Sequence, residues 1–83
     1  MKIDYDPKAD AAYFYLKKSD VIDSDEVSPG IVFDFDAQNE VVGIEILNLR
    51  HMTVERVRQV NFPFSSEDKA ELKEFFGRTL TSL

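Results

Sequence analysis

The side chains best placed to do chemistry are aspartates that come in pairs. Asp4 and Asp6 stand two apart, Asp34 and Asp36 repeat the spacing, and Asp10 and Glu40 follow the two pairs. Carboxylates two apart on a strand share a face, and hard cations such as Mg²⁺ or Ca²⁺ want several oxygens at once. Asp4, Asp6, Asp34 and Asp36 are therefore candidate ligands for a divalent ion. The competing reading is structural: Asp6 and Asp36 begin turns, where a carboxylate accepts backbone N–H groups, while Asp4 and Asp34 solvate an outer sheet face. The chain lacks the glycine that an EF-hand loop requires, and the turn reading is favoured. Paired carboxylates also serve glycoside hydrolysis, but that needs a sugar-sized cleft. A chain of 83 residues leaves little room for one.

Other catalytic constellations are thinner still. His51 is the only histidine, and Ser28, Ser65 or Ser66 would be its nominal nucleophile, yet no Gly-x-Ser-x-Gly elbow exists. The absence of cysteine removes disulfides, zinc–thiolate sites and thiol catalysis together. The three glycines, Gly30, Gly43 and Gly77, cannot build a phosphate-cradling loop. No cofactor and no catalytic residue are assigned, and the balance leans away from an enzyme.

Charge narrows the partners. The chain carries a net −6: residues 1–47 hold −7, residues 48–62 hold +2 and residues 63–83 hold −1. Arg50, Arg56 and Arg58 form the basic cluster of the middle stretch. They read either as a patch for nucleic acid or an acidic partner, or as a solvated connector. The second reading is favoured, because the field of an acidic body repels polyanions and attracts a small basic protein. No window approaches the length of an apolar membrane span, and the N-terminus shows no apolar signal stretch. A soluble, cytoplasmic protein is expected.

The elements that must position these residues are partly written twice. Ile3-Asp4-Tyr5-Asp6 reappears as Phe33-Asp34-Phe35-Asp36, an offset of 30, and the match runs on from Ala12, Phe14 and Leu16 to Val42, Ile44 and Ile46. Each copy reads as a β-hairpin: an apolar–acidic strand, a turn, an alternating apolar strand. Strands are expected over 2–5, 11–17, 31–35 and 41–47, with a short charged strand over 21–27 guarding a sheet edge. Pro29-Gly30 supplies a turn. Period two puts Ile3, Tyr5, Ala12, Phe14, Leu16, Ile31, Phe33, Phe35, Val42, Ile44 and Ile46 on one apolar face. The other face carries Asp4, Tyr13, Tyr15, Val32, Asp34, Val41, Gly43, Glu45 and Leu47.

The last third changes period. Ser65-Ser66-Glu67-Asp68 resembles a helix start, and Leu72, Phe75, Phe76 and Leu80 follow as one stripe. Gly77 weakens the helix or ends it. The expected class is α+β: an antiparallel sheet of four to five strands from two similar hairpins, with a C-terminal α-helix packed on its apolar face. One domain is expected over 1–83, with the sheet over 2–47, a connector over 48–62 that could hold a short helix after Thr53, and the helix over 65–80.

Three blocks carry a family resemblance: Tyr5-Asp6-Pro7-Lys8-Ala9-Asp10-Ala11, Ser28-Pro29-Gly30-Ile31-Val32-Phe33-Asp34-Phe35-Asp36 and Val41-Val42-Gly43-Ile44-Glu45-Ile46-Leu47. Over roughly residues 2–50 the chain resembles the prokaryotic family known as domain of unknown function 2283. The resemblance implies a compact, sheet-rich domain with no assigned activity. It also implies pairing with small toxin-like proteins as one expectation.

The functional expectation is a non-enzymatic protein–protein interaction module. Tyr13, Tyr15, Val32, Val41 and Leu47 are the interface candidates, since tyrosine suits a surface where an apolar body meets a wet rim. A homodimer through that face is expected, with a small basic protein as a further partner. Equally open is that residues 50–61 fold over the same face and cover it. The alternative function is a metal- or ligand-binding protein, or a small enzyme, using the aspartate pairs.

Overall fold

The computed structural model describes residues 1–80, with side chains as far as Arg78. The Leu80 side chain, expected on the helical stripe, lies outside the described residues. Five strands form one antiparallel sheet: β1 (Lys2–Asp6), β2 (Ala11–Tyr15), β3 (Asp23–Ser28), β4 (Ile31–Phe35) and β5 (Val41–Ile46), in the spatial order β1-β2-β5-β4-β3. A 3₁₀ turn (Leu49–His51) leads to α1 (Val54–Gln59) and α2 (Ser66–Leu80). The protein is therefore α+β, with five strands. Among the described residues no helix is long and apolar enough to cross a membrane.

The sequence repeat is also a structural one. Ile3 pairs with Phe14 in the first hairpin, and their counterparts Phe33 and Ile44 pair in the second. The hairpins meet through β2 and β5, where Phe14 faces its own counterpart Ile44. A local two-fold thus passes through that pair. Both hairpin turns use the same device. Asp6 Oδ1 accepts from the Lys8 and Ala9 amides at 3.0 and 3.3 Å, and Asp36 Oδ1 accepts from Gln38 and Glu40 at 3.0 Å each. A left-handed residue closes each turn, Asp10 (φ 54°) and Asn39 (φ 62°), and these residue types tolerate that conformation.

The copies part at a β-bulge. Asp34 pairs with Gly43, but Phe35 pairs with Val41, so Val42 is the extra residue. A bulge shifts side-chain parity by one. That corrects the face assignment: Val41 packs against the apolar core cluster with Phe35, and the buried Val42 lies outside that cluster.

Phe14, Ile31, Ile44 and Ile46 on the apolar face have no exposed surface. Ring contacts run from this face to α2: Phe75 stands edge-on to Phe14 at 5.4 Å and to Tyr5 at 6.2 Å. Ser65 caps α2, its Oγ accepting from the Asp68 amide at 3.1 Å. The helix continues through Gly77 rather than ending there. Thr53 caps α1 in the same way, accepting from the Arg56 amide at 3.1 Å.

The connector folds toward the core. Leu49, Met52 and Phe62 are buried in the cluster, Val57 and Val60 pack against it, and Phe62 lies 6.0 Å from Phe33. Residues 50–61 therefore do not cover the opposite sheet face, where Tyr15 and Leu47 remain exposed. Gly30 makes this path possible. It adopts φ 82°, its carbonyl accepts from the Leu47 amide at 2.7 Å, and a side chain there would press on Leu47 O and Met52.

Candidate functional site

Register lines up two rows across the outer face. Asp4, Tyr13, Glu45, Val32 and Glu26 form one, strand by strand from β1 to β3. Lys2, Tyr15, Gly43, Asp34 and Ser24 form the other. The rows are joined by Tyr13. Its ring leans diagonally over Gly43, and its hydroxyl donates to Asp34 Oδ2 at 2.7 Å. A Cβ at Gly43 would collide with that ring. Glycine in a strand interior often marks such a close approach. From the other side Ser24 Oγ donates to Asp34 Oδ1 at 2.6 Å. Four strands thus contribute to one arrangement.

Asp34 is only 5% exposed. Burying a carboxylate is costly unless it is hydrogen-bonded or paired. Two hydroxyl donors satisfy Asp34, but among the described residues no cation pairs with it, nor with its neighbours Glu45 and Asp4. The cost shows on Glu45 and Tyr13. Burial, reinforced by the Asp34 charge, raises the pKa of Glu45 above the ordinary carboxylate value. Burial and the hydrogen bond to Asp34 push the Tyr13 phenol well above its ordinary value, which keeps it a proton donor to Asp34.

Beside these rows a cleft of about 410 Å³ opens between Asp4, Asp6, Tyr13, Glu45 and Leu47. Tyr13 and Tyr15 pack against each other with ring centroids 4.5 Å apart, and the Lys2 ammonium sits over the Tyr15 ring at 5.0 Å. Tyr15 is 42% and Leu47 37% exposed. Of the interface candidates, Tyr13, Tyr15, Val32 and Leu47 therefore share the outer side, and Val41 belongs to the core side for the reason given by the bulge.

The four aspartates do not converge. Asp34 lies on the outer face, Asp4 two strands away from β5 on the sheet edge, and Asp6 and Asp36 in separate turns. Among the described residues no three His, Cys, Asp or Glu side chains come together in a way that could hold a metal ion. Asp36 instead meets Lys17 at 2.9 Å, which also lies 3.3 Å from Glu40. The Glu40 amide and then Lys17 hold the Asp36 carboxyl below its ordinary pKa, and the Asp36 and then the Glu40 carboxylates raise that of Lys17. The arginines are dispersed as well. Arg50 lies near Asp10, with its amide donating to Asp10 Oδ2 at 3.1 Å, while Arg56 and Arg58 border different clefts. His51 is exposed, and no serine hydroxyl among the described residues bonds to it.

Sequence reading missed Ser24 and the service that Gly43 performs for Tyr13. The one available signal was the glycine itself, isolated inside the strand Val41-Val42-Gly43-Ile44-Glu45-Ile46. No match was found to a curated protein or to a solved structure. A family model does match, and it spans the two hairpins, the Asp34–Tyr13 contact and Gly43: over residues 2–50, more than half of its length, the chain fits the model described as protein of unknown function (DUF2283), and it belongs to that family.

Proposed function

We propose that this protein is a protein–protein interaction module whose working surface is the outer sheet face, and that its partner is basic. The observation that carries the reading is the pair Asp34 and Glu45, two carboxylates drawn into the face with no cation of the described chain beside them. A lysine or arginine from a partner would supply the missing charge, and the cleft beside Glu45 and Asp4 offers an entry for it. Exposed Tyr15 and Leu47 provide the apolar rim. Self-pairing through this face would set the carboxylates of two copies against each other, so a foreign basic partner suits it better. An antitoxin-like domain that holds a small basic protein is the specific form of this reading.

The test is affinity capture from the native host with wild-type protein and with Glu45→Lys, whose folding is checked by circular dichroism. A small basic protein recovered stoichiometrically by the wild type and lost with the variant supports the reading. Recovery that is equal for both proteins removes the outer face from the interface.

A further inference from the structure

The opposite end of the molecule has a surface of inverse character. Between α1 and α2 runs a groove of about 670 Å³ with a floor that includes Val57, Val60, Leu72 and Phe76. Its rim holds Arg58 from α1 and Lys69 and Lys73 from α2. The two lysines are four apart and so share one side of the helix. The acids Asp68 and Glu71 point elsewhere, toward the Met1 amino group at 3.9 and 3.7 Å. Among the described residues no ion pair engages Arg58, Lys69 or Lys73. Leu72 and Phe76 close the floor and are nearly buried, while Val57 and Val60 are part-exposed and Val54 beside them is 38% exposed. Three free cations around such an apolar floor are unexpected on a chain of net charge −6.

The same chain carries a segment of matching chemistry. Asp20-Val21-Ile22-Asp23 leads from β2 into the edge strand β3, whose Asp25 and Glu26 are also exposed. Val21 is 47% exposed and Ile22 67%, the highest value among the large apolar side chains described. Two apolar side chains flanked by carboxylates complement an apolar floor flanked by ammonium and guanidinium groups.

We infer that the α1–α2 groove of one copy receives the Asp20–Asp23 segment of a second copy. Val21 and Ile22 enter the floor, and Asp20 and Asp23 meet Lys69, Lys73 and Arg58. A single such contact is head-to-tail and leaves the pair with one free groove and one free segment, so association proceeds past the dimer into a ring or an open chain. The inference is independent of the outer-face reading, since neither surface includes Glu45 or Tyr15.

Sedimentation velocity over a concentration series tests it, with wild type, Lys69→Glu/Lys73→Glu and Asp20→Lys/Asp23→Lys. The expected result is association of the wild type beyond a dimer, weakened by added salt. Each double variant alone should associate at least roughly tenfold more weakly, because like charges now face each other. An equimolar mixture of the two variants should recover association, since each acidic segment then finds a basic groove and each basic segment an acidic one. A wild type that stays monomeric up to about 1 mM, the weak end of specific affinity, overturns the inference. So does association unchanged in either variant, a mixture no better than its parts, or a monomer whose groove takes only a separate acidic peptide. Loss of the basic partner on Glu45→Lys with self-association intact would separate the two surfaces experimentally.

Discussion

Asp4 and Asp34 occupy the same place in the two hairpins, yet one is exposed and the other is buried. Their own strands differ little: Ile-Asp-Tyr-Asp and Phe-Asp-Phe-Asp. What differs is position in the sheet. β1 is an edge strand, whereas β4 has β5 on one side and β3 on the other. Ser24 of β3 therefore reaches Asp34, but among the described residues nothing equivalent reaches Asp4. The second difference lies across the strand pair. Asp4 faces Tyr13, and Asp34 faces Tyr13's counterpart, Gly43. The first hairpin's tyrosine fills the space that the second hairpin's glycine leaves. The turns diverge likewise, Asp6 being solvated and Asp36 buried beside Lys17. A repeated sequence thus yields unequal sites because the sheet places one copy at its rim and the other inside.

The junction of the two copies should be the most sensitive point. Phe14 has no exposed surface, pairs with Ile44 and touches Phe75 and Phe76. Phe14→Ala is expected to cost about 3–5 kcal/mol, enough to unfold a domain this small, as read by urea titration. A double-mutant cycle with Phe75→Ala should show a coupling of about 0.5–1.5 kcal/mol. A coupling of zero would mean that α2 does not seal this face.

Gly43 comes next. Gly43→Ala should cost about 1–3 kcal/mol, because Tyr13 must leave and Asp34 loses a buried donor. Most of that penalty should vanish when Gly43→Ala is compared in a Tyr13→Ala background. If the cost is the same in both backgrounds, the glycine serves the backbone and not the tyrosine.

The paired aspartates sharpen the contrast between rim and interior. Asp36→Asn should destabilise the protein and Asp6→Asn should do so less, since only Asp36 has Lys17 beside it. The Asp36 pKa is lowered by folding, so its contribution is present above the ordinary carboxylate pKa and fades as pH falls through the lower folded value. The gap in melting temperature between wild type and Asp36→Asn should therefore close in strong acid. A gap that persists there would assign the effect to the turn's hydrogen bonds alone.

Glu45→Gln is the smallest change and has the opposite sign. Folding raises the Glu45 pKa, so its carboxylate opposes folding at neutral pH and the wild type regains stability as pH falls through the folded value. The variant should melt higher than the wild type at pH 7, on the order of 2 °C. The advantage should disappear below the carboxylate range. A variant that melts lower at pH 7 would show that Glu45 is well solvated or already paired.

Much of this architecture was legible from alternation and repetition. Two hairpins, the Pro29-Gly30 turn, the charged strand at one edge and the Ser65 cap all follow from residues near one another in the chain. The bulge at Val41–Val42 was not legible, because two adjacent valines satisfy either parity, and the error moved Val41 to the wrong face. Nor could alternation show which side residues 50–61 would cover. Their valines suit a short helix whatever it packs on, and Leu49, Met52 and Phe62 draw the segment to the apolar side.

Sequence by itself determined the strands, the turn chemistry at Asp6 and Asp36, the acidic balance and the absence of thiol chemistry, because each depends on residue type and local spacing. Tertiary structure alone decided that Asp34 is buried while Asp4 is not, that Tyr13 lies across Gly43, and that the arginines are scattered. Those outcomes depend on strand order and on contacts between strands, such as Tyr13 with Asp34, 21 positions apart, and no pattern within β1 or β4 encodes that the first lies at an edge and the second inside.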